Sequence, residues 1–180
     1  MSNLCVFCGS AHGNDRIYTE VAQDLGRQIV ERGHGLVYGA GHVGLMGVIA
    51  DAVLEANGSV IGVIPQDLVD RELAHERLTE LHIVETMHQR KALMADRSDA
   101  FLAIPGGVGT ADELFEILTW RQLKIHDKPI GILNVQGFFD PLLAWIQSAT
   151  EQGFIRPRHR NLFVVKEDVS EILDLLLEVG

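Results

Sequence analysis

Short runs that are apolar at nearly every position alternate, along almost the whole chain, with longer stretches of helical periodicity, and no hairpin turn signal falls between them. The runs cover residues 4–8, 36–38, 60–64, 100–104, 130–133 and 162–165, with a shorter one at 82–84. Between the first two, Ile17, Val21, Leu25 and Ile29 recur every four positions in a predicted helix that stops at Gly33. Further helices are predicted up to residue 57, where Gly58 ends one, and over residues 87–97, 111–124, 141–151 and 169–177. Residues 66–81 are polar and mixed in charge and read as a long loop or flap. A strand that is apolar on both sides must be covered on both sides, and strands joined by helical crossovers run parallel. The expected architecture is α/β: one doubly wound Rossmann-like domain over residues 1–180, a parallel sheet flanked by helices. In such sheets ligands sit beyond the carboxyl ends of the strands, where the strand order reverses.

The 180 residues suffice for one full core and leave no room for a second catalytic domain. Acidic residues number 25 against 15 Lys plus Arg, a net charge of −10, so the average field repels nucleic-acid backbones and anionic lipid. Nucleic acid is therefore set aside as a partner, whereas a small phosphorylated ligand in a local basic pocket fits. No basic n-region opens the chain and no run reaches the roughly eighteen apolar residues that span a bilayer, which points to a cytoplasmic protein without a membrane anchor. Cys5 and Cys8 form a CxxC without a second pair and read as strand cysteines, because a structural zinc site needs four ligands. The histidines show no HExxH or paired spacing, so no metal site is expected.

Two glycine-rich loops stand at strand-to-helix turns. Gly39, Gly41 and Gly44 form a GxGxxG after the second strand, compatible with phosphate contact or with a tight turn that lets helix and sheet approach. No acidic residue suited to a dinucleotide ribose follows, since the next strand ends in Pro65 and Gln66. The second loop, AIPGGVGTADE, bares the backbone at Gly106, Gly107 and Gly109 and offers the Thr110 hydroxyl where a helix begins, so donors and a positive dipole end converge on an anion. It lacks the GxxxxGK[ST] pattern of nucleotide-hydrolysing loops. Glu113, three residues after Thr110, fits either a capping box or a carboxylate turned toward the ligand. In MHQRKALMADR, Arg90 and Lys91 flank an apolar face shared by Met87 and Met94, within reach of the same crevice or lying along the core edge. Gly9 and Ser10, in the turn after the first strand, can offer donors to a phosphate or base.

Together, GAGHVGLMG, the MHQRK segment and PGGVGTADE resemble the LOG ("Lonely guy") family of cytokinin riboside 5′-monophosphate phosphoribohydrolases, formerly often labelled lysine decarboxylase-like. The likeness runs from CVFCGS through TWRQLKIHDKPIGILN to GFI, and departs at Ala40, where many members have a third consecutive glycine. It implies hydrolysis of the N-glycosidic bond of AMP or an N6-substituted AMP, without a cofactor or metal, by a homodimer. Carried over by position, Arg90 and Glu113 would be the catalytic pair. Glu72, Lys91, Gly106, Gly107, Val108, Gly109, Thr110, Ala111, Asp112 and Thr119 would line the substrate site. The physics agrees: breaking this bond builds positive charge on the ribose, which a nearby carboxylate stabilises. A non-catalytic nucleotide or cofactor carrier is the alternative, because the same loops can hold a phosphate without reacting it. A dinucleotide oxidoreductase is disfavoured by the missing ribose acid. A pyridoxal-phosphate decarboxylase using Lys91 is disfavoured by the short chain.

Overall fold

The structure, a computed structural model, describes residues 1–69 and 74–177. Seven strands, β1 (Asn3–Phe7), β2 (Gly35–Tyr38), β3 (Val60–Pro65), β4 (Glu80–Val84), β5 (Ala100–Ala103), β6 (Ile130–Leu133) and β7 (Val164–Lys166), form one sheet in the order β4-β3-β2-β1-β5-β6-β7. Every pairing is parallel. The helices are α1 (Arg16–Glu31), α2 (Gly44–Glu55), α3 (Met87–Asp96), α4 (Val108–Gln122), α5 (Asp140–Glu151) and α6 (Val169–Leu177). This is the doubly wound α/β architecture that the alternating pattern predicts.

The period-2 alternation of side chains divides the core into two layers. Leu4, Val6, Leu36, Tyr38 and Leu102 pack on one side with α1, α2 and α6. Cys5, Phe7, Val37, Phe101 and Ala103 pack on the other with Met94 of α3 and Leu114 and Ile117 of α4. Strands β2, β3, β5 and β6 are buried at every position, which is why their sequences read as continuous apolar runs. Edge strand β4 is half-exposed and carries Glu80 and His82 among its apolar residues. Gly26 brings α1 against α2: a Cβ there would stand 2.7 Å from that of Ala52.

Three boundaries differ from the sequence prediction. Helix α4 begins at Val108, three residues before the expected start, so Thr110 lies inside its first turn. Strand β4 is longer than residues 82–84, and the chain before it turns once as a 3₁₀ helix at Gln66–Leu68. Strand β7 follows another 3₁₀ stretch, Pro157–Leu162, and starts two residues later than expected, because Pro157 and its polar followers satisfy their backbone locally first. Among the described residues no helix is long and apolar enough to cross a membrane.

Candidate active site

Strands β1 and β5 lie side by side where the winding reverses: β1 leads to α1 on one face of the sheet, β5 to α4 on the other. Their loops part and leave a crevice, as expected at a topological switch point. Close backbone contacts knit its walls. The Gly9 N–H donates to Pro105 O at 3.1 Å, and a Cβ on Gly106 would stand 2.0 Å from Thr110 Oγ1 and 2.7 Å from Gly9 N. Gly44, at φ +63, presses on the Ser10 backbone, where a Cβ would come within 2.2 Å.

The cleft has a volume of about 170 Å³ and brings together Gly9, Ser10, Arg90, Gly107, Val108, Gly109, Thr110 and Glu113, with Cys8 and Met46 closing it. The first turn of a helix presents N–H groups without intrahelical partners at the positive end of the dipole. In α4 that turn follows Gly107 and has no side-chain cap. The capping-box reading of Thr110 and Glu113 therefore fails: Thr110 is the third helical residue, and its buried hydroxyl makes no hydrogen bond. Glu113 sits a turn further along α4 and lines the cleft. The contiguous hollow of about 200 Å³ shares Gly9, Ser10 and Gly107 and is walled by Tyr18, Leu45 and Phe138.

Arg90 enters from α3 and is 5% exposed. Its Nε donates to Val63 O at 3.0 Å and its Nη2 to Gly39 O at 2.5 Å, while Nη1 lies 3.7 Å from Met87 Sδ. A buried guanidinium is tolerated only with such partners. Gly39 makes the seat: a Cβ there would come within 2.2 Å of Nη2. The first glycine loop thus serves close packing, with Gly39 receiving the arginine and Gly44 the β1 loop. Arg97 goes to the surface, paired with Glu80 at 2.6 Å.

Lys91 takes another direction. Its ammonium bridges α3 to α4 through Asp112 at 3.0 Å and Glu116 at 3.1 Å, outside the cleft lining. Burial alone would lower the Lys91 pKa; the hydrogen bonds and charges of Asp112 and Glu116 outweigh it and raise it. Ala111 follows in the first turn of α4, whereas the Thr119 hydroxyl donates to Phe115 O within its own helix at 2.7 Å and does not line the cleft. Glu72 lies outside the described residues. Cys5 and Cys8 are free and buried. Burial pushes the Cys8 thiol far up, and the negative charge of Glu113 adds to this, so Cys8 is an apolar wall rather than a nucleophile.

Sequence reasoning missed one constellation. Among the described residues, His42, Asp51 and His75 bring their ligand-type atoms within 4.8 Å of one another, although no spacing motif joins them. It also missed Cys8 and Met46 in the cleft. Met46 had a signal, its place in the GLMG that opens α2.

The chain matches the family model described as "Possible lysine decarboxylase" over residues 46–176. A probable cytokinin riboside 5′-monophosphate phosphoribohydrolase of Oryza sativa subsp. japonica, LOGL2, is 51% identical over 175 residues, 97% of this chain and 72% of that protein. The cytokinin riboside 5′-monophosphate phosphoribohydrolase LOG3 of Arabidopsis thaliana is 49% identical over 97% of this chain and 81% of its own length. Among solved structures, the molybdenum cofactor carrier protein of Chlamydomonas reinhardtii has a TM-score of 0.72 at 21% identity, with 98% of each chain covered. That likeness is one of fold. With about half of its residues shared with the plant phosphoribohydrolases across nearly the whole chain, this protein belongs to the LOG family.

Proposed function

We propose that this protein hydrolyses the N-glycosidic bond of adenosine 5′-monophosphate or its N6-substituted derivatives, releasing the free base and ribose 5-phosphate. One observation carries the reading: a carboxylate, Glu113, and a buried arginine, Arg90, line the same cleft as the uncapped N-terminus of α4. The helix start and the facing Gly9–Ser10 turn hold the 5′-phosphate, and that remote binding energy positions the sugar beside Glu113. As the C1′–N9 bond breaks, its electron pair leaves with the base, which takes up a proton from solvent, and positive charge develops on the ribose. Glu113 stabilises that charge. Water then adds at C1′ and gives its proton to the carboxylate, which returns it to solvent and closes the balance. Arg90, immobilised by the Val63 and Gly39 carbonyls, keeps a fixed positive charge in the cleft that Glu113 lines.

Lys91 and Asp112 support this site through the α3–α4 bridge, and a homodimer is part of the reading. The test is a panel of AMP, N6-isopentenyl-AMP, the nucleoside and the triphosphate, with free base followed by chromatography. Release from the monophosphates and not from the nucleoside is expected. Tight binding of AMP with no base released would make the protein a carrier instead. Sedimentation checks the dimer.

A further inference from the structure

We infer that Asp51 and His75 form a clamp that positions Arg90, acting through the strained peptide of Ala40. The inference rests on the proposed role of Arg90. Ala40 is fully buried and left-handed at φ 60, a conformation that a residue with a Cβ disfavours. Two contacts from the segment before β4 hold it there: the His75 N–H donates to Ala40 O at 2.9 Å, and Gly41 bridges Ala74 in antiparallel fashion. One residue earlier, Gly39 O is the acceptor for Arg90 Nη2. Rotation of the chain at residue 40 therefore moves the arginine's seat.

The His75 side chain anchors this segment to α2. It is 1% exposed, and its Nδ1 accepts the Arg77 N–H at 3.2 Å. A neutral ring with Nδ1 as acceptor carries its proton on Nε2, which donates to Asp51 Oδ1 at 3.1 Å. Arg77 also pairs with Asp51, and the His42 ring meets that of His75 edge-on at 4.8 Å. The three ligand-type groups lie close enough for a cation, yet the ring nitrogen a cation would need already holds a proton directed at Asp51. The geometry is that of a clamp.

The test reads Arg90 directly, by the ¹⁵N resonance and solvent exchange of its Nε–H, alongside AMP hydrolysis. In His75→Leu the resonance is expected to shift and exchange faster, with kcat down at least about tenfold and KM within about threefold, since the α4 phosphate cradle is untouched. His75→Gln, whose amide still reaches Asp51, should restore most of both. Adding Ala40→Gly to His75→Leu should recover part of kcat, because glycine takes the left-handed conformation without a clamp. Asp51→Ala, at a half-exposed position, should give the same Arg90 shift if His75→Leu does not fold. An unmoved Arg90 resonance in folded His75→Leu and Asp51→Ala would overturn the inference, as would His75→Gln behaving like His75→Leu. A wild-type protein that releases no base, yet whose Arg90 resonance depends on His75, would sink the hydrolase reading and leave the clamp standing.

Discussion

The β2–α2 and β5–α4 loops are both rich in glycine, both turn from a strand into a helix, and only the second opens onto the cleft. In the first, a Cβ on Gly39, Gly44 or Gly47 would strike Arg90, the Ser10 backbone or the His42 carbonyl. In the second, Gly106 is just as tightly packed, but Gly107 and Gly109 have nothing within 4 Å of where a Cβ would stand. A glycine-rich turn therefore reports a close approach without saying by what. Tertiary neighbours decide whether protein or ligand occupies the space.

This contrast yields measurable differences. The largest effect is expected on α4: Glu113→Gln should lower kcat by about 10²- to 10⁴-fold while AMP affinity changes little, checked by steady-state kinetics and calorimetry. Near-normal base release would remove Glu113 from the mechanism. Gly39→Ala, on the packed loop, should cost about 10- to 100-fold in kcat through a displaced Arg90 and about 1–3 kcal/mol of stability by overcrowding. Normal activity there would show that Arg90 does not need its seat. Gly107→Ala should behave oppositely, leaving stability within about 0.5 kcal/mol and weakening AMP binding about two- to fivefold as its methyl enters the cleft. A large stability loss with unaltered affinity would reverse the roles of the two loops.

The smallest effect is a control at the far end of α4. Burial holds the His126 imidazole below its ordinary pKa, with its hydrogen bond to Ile117 O opposing. The unfolded chain then binds a proton that the folded one refuses, so stability should fall as pH drops below about 6.5. Urea unfolding at pH 7.5 and 5.5 checks this: His126→Asn should flatten the dependence. An unchanged slope would assign the acid sensitivity elsewhere.

Most of the fold was legible because buried parallel strands advertise themselves as apolar runs, and helices as four-residue periodicity ending in glycine. Positions whose state is set by local chemistry were read less well. The Gly107–Thr110 stretch looks like a loop with a capping threonine, yet the helix already starts at Val108, and the misplaced start hid the fact that Thr110 is not the N-cap and does not draw Glu113 into a capping box. In the site, the glycine cradle and the carboxylate were visible in one continuous motif. The burial of Arg90 was not: a helical wheel places it beside the apolar face, and what receives it are carbonyls 27 and 51 residues away in sequence. The gathering of His42, Asp51 and His75 escaped for the same reason, being created by the crossing of α2 with the approach to β4.

The solitary hydroxyl of Thr110 has a further consequence. A donor shut away from water without an acceptor costs on the order of 1–3 kcal/mol, so the folded protein forgoes that much stability at the mouth of its own site. Thr110→Val, of nearly the same shape, should therefore melt at a higher temperature, the hydroxyl's removal returning what its burial had cost.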